Sequence, residues 1–125
     1  MGQLSQINTE LIKLLTEKEH IPIIAPLGMT KNGEWLNVNA DQAACKIAEE
    51  LKADKLYLLT DVPGVKYQDK WLTEIDDVLI EQLVEEEVIK GGMLPKIGNA
   101  QSAHKAGVHQ VVITNNIEAK GTVLV

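Results

Sequence analysis

The sequence predicts an α/β domain: a mainly parallel sheet of about four strands, helices on both faces, and one β-hairpin. Three observations predict it. Short apolar runs at Ile21-Pro22-Ile23-Ile24-Ala25, Lys55-Leu56-Tyr57-Leu58-Leu59 and Gln110-Val111-Val112-Ile113-Thr114 have the look of buried parallel strands. Stretches with helical periodicity separate them. Glycine, proline and asparagine punctuate the junctions. In open α/β sheets ligands collect at the carboxyl ends of the strands. Here those ends are Pro26-Leu27-Gly28, Thr60-Asp61-Val62 and Asn115-Asn116.

The chain begins with a helix. Asn8 is a cap candidate, Glu10 suits the positive helix end, and Leu11, Ile12, Leu14 and Leu15 form an apolar stripe. Pro22 is tolerable near the start of the first strand. The turn at Lys31-Asn32-Gly33-Glu34 makes residues 27–38 a hairpin. Asp41 to Lys52 reads as a helix with Ala43, Ala44, Ile47, Ala48 and Leu51 on one face. Pro63-Gly64 forces a turn after the second strand, and residues 67–73 form an exposed loop or small hairpin. A helix spans Asp76 to Glu87, with Val78, Leu79, Leu83 and Val84 inward. Gly91-Gly92 breaks the chain. A further helix runs from about Met93 to Ala106, ended by Gly107. Thr122-Val123-Leu124-Val125 is the last strand.

At 125 residues and 45% hydrophobic composition the chain is one domain, large enough for a real core. Phe is absent, so Leu, Ile, Val and Ala must build that core. The net charge of −6 disfavours nucleic acid and acidic membrane as partners, since both call for a basic face. A small anion such as a nucleotide needs only a few local donors. A single cysteine, Cys45, makes an internal disulfide impossible and fits a reducing compartment. No apolar run approaches the roughly 20 residues of a membrane span, and no signal-peptide core opens the chain. The expectation is a soluble, cytoplasmic protein.

Three polar junctions carry the candidate chemistry. In Asn37-Val38-Asn39-Ala40-Asp41 two amides and a carboxylate sit where an extended segment enters a helix. Asp41 reads either as a capping or first-turn acid or as a carboxylate that orients cations around a reacting phosphate. Asn37 and Asn39 would then offer neutral hydrogen bonds to a substrate. Thr60-Asp61 ends a strand, as a turn-former before Pro63-Gly64 or as a nucleotide contact in the crevice. Gly91-Gly92-Met93-Leu94-Pro95-Lys96 is a glycine turn entering a helix, where bare N–H groups can hold an anion. Lys96 in a first helical turn opposes the macrodipole, and that local cost points to a task for it. His20, His104 and His109 lack the spacing of a metal site, Cys45 reads as core, and Trp35 and Trp71 read as local anchors. Neither a Walker phosphate loop nor G-x-G-x-x-G occurs.

Taken in order and spacing, Asn37-to-Asp41, Leu59-to-Val65 and Gly91-to-Lys96 resemble the C-terminal half of the acetylglutamate kinases, in the amino acid kinase superfamily. The resemblance runs from about Ser5 to Val125. It implies transfer of the ATP γ-phosphoryl group to the side-chain carboxylate of N-acetyl-L-glutamate, an early step of arginine synthesis. It implies that Asp41 positions catalytic lysines and that Lys96 neutralises charge on the transferring group. Asn37 would contact the acetylamino acid, with Asn39 beside it. Thr60, Asp61, Val65 and Tyr67 would line the nucleotide site, with Gly92 and Met93 close by. Magnesium would ride on the nucleotide phosphates. Members of this family are roughly twice as long, and the N-terminal lobe, with its phosphate loop and dimer interface, has no counterpart here. The resemblance thus implies half an active site, inactive alone, that needs a partner lobe or self-associates through uncovered apolar surface. Two alternatives stand beside it: a non-catalytic nucleotide-binding or interaction module of the same fold, and a kinase for another amino-acid-like acid.

Overall fold

The computed structural model describes all 125 residues. Helix α1 (Glu10–Glu17) precedes the antiparallel pair β1 (Leu27–Met29) and β2 (Trp35–Asn37), the expected hairpin. Helix α2 (Ala40–Leu51) leads into β3 (Lys55–Leu59). A small hairpin follows, β4 (Lys66–Tyr67) and β5 (Lys70–Trp71), turned by Gln68 and Asp69, both at positive φ as a two-residue hairpin loop demands. Then come β6 (Glu74–Ile75), α3 (Asp77–Glu85), α4 (Met93–Lys105), β7 (Gln110–Thr114) and β8 (Thr122–Leu124).

The main sheet has the order β3-β7-β8-β6. β3 runs parallel to β7 and β6 parallel to β8, while β7 and β8 are antiparallel. It is a mostly parallel sheet of four strands, with β3 and β7 on two of the three apolar runs. Helices α2 and α4 pack on each other and against β3 and β7. The core between them joins Leu58, Val111, Ile113 and Leu124 of the strands to Cys45, Ala48, Ile97, Ala100 and Ala103 of these helices. Alanines at the α2–α4 contact let the two axes come close. Cys45 is core, as expected.

Four details depart from expectation. Ile21–Ala25 forms no strand: Ile21 and Ile23 are 90% and 97% exposed, and no strand lies beside the segment. An apolar run marks what should be buried, but a strand also needs a neighbour. Helix α3 turns a different face inward. Its N-cap is Asp76, whose carboxylate accepts from the Leu79 amide at 2.8 Å. From that start Ile80 and Leu83 face the core, while Val78 is 75% exposed and Val84 lies at the surface. The apolar stripe of α1 buries none of its residues fully. Strand β6 is an addition, two residues long and too short to show a period.

Gly64 and Gly121 are required by close approach. A Cβ on Gly64 would strike Thr122, and one on Gly121 would sit 2.6 Å from the Ile113 carbonyl at a φ of +62. Buried Thr122 clamps this region. Its hydroxyl accepts from the Val65 amide at 2.8 Å and donates to the Leu72 carbonyl at 2.6 Å.

Candidate functional site

The N-terminus of α2 is built first. Asn39, in extended conformation, caps it: its Oδ1 accepts from the Gln42 amide at 3.0 Å. Capping therefore falls to Asn39, and Asp41 stands in the first turn with its carboxylate free for another partner. The helix end favours that negative charge.

The partner is Lys96. Its Nζ lies 2.7 Å from Asp41 Oδ2, with the two side chains only 14% and 30% exposed. The same ammonium donates to the Leu59 carbonyl at 3.4 Å. Three element ends thus converge: the start of α2, the start of α4 and the carboxyl end of β3. Lys96 opposes the dipole of its own helix, and the carboxylate and the carbonyl answer that cost. One ammonium proton remains uncommitted by these two contacts.

The neighbouring candidates fall out unequally. Thr60 continues the β3–β7 ladder, its amide donating to the Thr114 carbonyl at 2.9 Å, and its hydroxyl donates to Asp61 Oδ1 at 3.2 Å. Asp61 is exposed at the sheet's edge. Gly92 stands at the N-cap of α4 with open space around its Cα, and neither its N–H nor that of Gly91 meets a protein acceptor. Met93 is the first helical residue and leans on the core. Tyr67 packs against the core, and its hydroxyl accepts from Gln82 Nε2 at 3.4 Å. Asn37 is exposed at the end of β2, its side-chain amide without a protein partner. Val65 differs from the rest. Its side chain is buried, its N–H is held by Thr122 and its carbonyl accepts from Leu72. It shapes the floor and has no free polar group for a ligand. The Leu59 carbonyl is a participant that residue-type reasoning misses, because backbone acceptors carry no sequence signature.

Cys45 sits one helical turn from Asp41 and senses this site. Burial first, then the negative charges of Asp41 and Glu49, push its thiol up to about 11, while Lys96 pulls the other way. Neither Asp41 nor Lys96 lines the apolar groove beside α2 or the polar hollow over Gln42 and Cys45. The ion pair is partly buried, with Asp41 the more exposed of the two.

A mostly parallel α/β sheet with a lysine–carboxylate pair and a glycine-opened helix at its strand ends is an arrangement that can receive a small anion. Sequence comparison makes this specific. The profile of the Amino acid kinase family matches residues 1–115, and the chain belongs to that family. It is 50% identical over 124 residues to the acetylglutamate kinase of Leuconostoc citreum, covering 99% of this chain and 51% of that one. It is 49% identical over 122 residues to the acetylglutamate kinase of Listeria monocytogenes, covering 98% and 49%. Among solved structures, smu.665 from Streptococcus mutans superposes with a TM-score of 0.87 at 40% identity, covering 96% of this chain and 49% of that chain. The chain thus spans about half the length of the relatives it matches. No helix is long and apolar enough to cross a membrane.

Proposed function

We propose that this chain supplies the nucleotide-binding half of a site that transfers the ATP γ-phosphoryl group to the side-chain carboxylate of N-acetyl-L-glutamate, and that it does not turn over alone. The observation that carries the reading is the Lys96–Asp41 pair, held at 2.7 Å at three converging element ends. Phosphoryl transfer of this kind asks for positioning and charge neutralisation rather than a covalent nucleophile. Asp41 fixes the ammonium, and Lys96 offers its remaining proton to the transferring group or the leaving phosphate. The free N–H groups of Gly91 and Gly92, with Met93 beside them, suit phosphate oxygens. Thr60, Asp61 and Tyr67 would border the nucleoside, and Val65 would support them from below. Asn37 and the amide nitrogen of Asn39 remain for the acetylamino acid.

Magnesium fits this site only as an ion carried by the nucleotide. No group of three or more His, Cys, Asp or Glu side chains comes together, and Asp41 is committed to Lys96. When bound, the ion would screen the negative charge of the phosphates.

Calorimetric titration of this chain with ADP–magnesium tests the proposal. Weak binding is expected, reduced about tenfold or more by Lys96→Met, the scale of a lost charge-assisted hydrogen bond. No heat up to millimolar ADP would overturn it. A non-catalytic nucleotide-binding module is the second reading, favoured by apolar surface at Ile21, Ile23 and Leu59. It predicts the same titration, and no activity when the rest of the site is supplied.

A further inference from the structure

The turn that leaves β3 has no backbone hydrogen bond of its own. Residues 61–64 neither donate nor accept one, and Pro63 has no N–H to give. The only polar contact beside it is the Thr60 hydroxyl donating to Asp61 Oδ1 at 3.2 Å. What fixes this turn must therefore act at its two ends.

Those ends stand on neighbouring strands. The Thr60 amide donates to the Thr114 carbonyl at the end of β7, at 2.9 Å. The Val65 amide donates to the Thr122 hydroxyl on β8, at 2.8 Å. In the antiparallel β7–β8 pair Thr122 stands opposite Ile113, the residue before Thr114. The same hydroxyl donates to the Leu72 carbonyl at 2.6 Å, and the Leu72 amide donates to the Val65 carbonyl at 2.8 Å. These bonds close a ring through one oxygen, on a side chain that is fully buried. Gly64 completes the fit, since a Cβ there would strike that hydroxyl.

The first end of the turn continues into the ion-pair site. Leu59, whose carbonyl accepts from Lys96 Nζ at 3.4 Å, immediately precedes Thr60. In the proposed nucleotide half, Thr60 and Asp61 stand at this end, and Tyr67 lies two residues past the other.

We propose that Thr122 is a positioning residue for the nucleotide. Its hydroxyl sets the height of the turn 61–64 on the sheet, and through it the affinity for a nucleoside diphosphate. Both of its bonds are to protein, so it acts through Val65 and never meets the ligand. Serine keeps this hydroxyl, whereas valine keeps the shape and loses both bonds. The inference rests on the reading of this chain as a nucleotide-binding half, and its test separates the two.

That test is calorimetric titration with ADP–magnesium, at a temperature where circular dichroism shows each variant folded. Thr122→Val is expected to bind about tenfold more weakly or worse, and Thr122→Ser to stay within about threefold of the unsubstituted chain. Val108→Ala controls for instability alone. Val108 is buried just before β7, at the end of that strand away from the turn. This variant should lower the denaturation midpoint yet hold ADP affinity within about threefold. Hydrogen exchange should show the Val65 and Leu72 amides about tenfold faster or more in Thr122→Val, and still protected in Thr122→Ser. If Thr122→Val does not fold, Gly64→Ala carries the same expected loss, because its Cβ displaces the turn while the hydroxyl remains. Unchanged ADP affinity in the variant used overturns the proposal. So does a Thr122→Ser as weak as Thr122→Val, or an equal loss in Val108→Ala. An unsubstituted chain that binds no ADP overturns the nucleotide reading itself, and the proposal with it. Binding that survives in Thr122→Val removes only the role of Thr122.

Discussion

Asp41 and Lys96 come from opposite ends of a long stretch of chain, yet they form the tightest charged contact in the molecule at 2.7 Å. The sequence makes each legible for its own reason: an acid where a helix starts, a cation where a helix dislikes one. It does not make legible that the two meet, because that depends on α2 and α4 packing side by side. The roles of Asn39 and Val65 were likewise hidden. An asparagine at a helix start serves equally as cap or ligand, and here its carbonyl is spent on the Gln42 amide. Val65 stands in a turn but folds its side chain inward. Cys45 offers a reporter of the pair. Its thiol, raised from 9.0 to about 11 by burial and then by Asp41 and Glu49, should titrate lower in Asp41→Asn and higher in Lys96→Met. Thiolate absorbance against pH measures it, and identical curves in all three proteins would contradict the geometry. The thiol is protonated longer in the folded than in the unfolded chain. Its contribution to stability is therefore full below pH 9 and is lost as pH rises through about 11.

Among the elements, the long helices and central strands could be read directly from pattern. α4 runs from Met93 to Lys105 as its glycine boundaries predict, and β3 and β7 occupy the two apolar runs expected of them. Short elements escaped for want of length: β6 has two residues and no period to read. Helix α3 was legible as a helix but not in phase, because its cap decides which of Val78, Ile80, Leu83 and Val84 faces inward. Ile21–Ala25 shows a different limit. Its composition specifies burial, yet no strand of the sheet pairs with it. The link between β8 and the turn before β4 is a single buried hydroxyl. Thr122→Val removes the acceptor of the Val65 amide and the donor to Leu72 at one stroke. It should destabilise the chain by about 1–3 kcal/mol in chemical denaturation. Unchanged stability would show that water or another group takes over both bonds.

At the scale of the whole molecule, the chain is a member of the amino acid kinase family that holds the Lys96–Asp41 pair at its strand ends and leaves one edge of β3 open. The two features belong together. The end of β3 that holds Lys96 through the Leu59 carbonyl is the same strand whose outer edge is open. The central claim is that this chain is the nucleotide half of a phosphoryl-transfer site and is silent without its complement. The most direct measurement is ADP release with ATP–magnesium and N-acetyl-L-glutamate, from this chain alone and mixed with the uncovered portion of the Leuconostoc citreum relative. No turnover is expected from the chain alone, turnover in the mixture, and a fall of roughly 10²–10³ in kcat for Lys96→Met in that mixture, the scale of one lost transition-state donor. Full turnover by the lone chain, or a mixture in which Lys96→Met is as active as the unsubstituted protein, would contradict it.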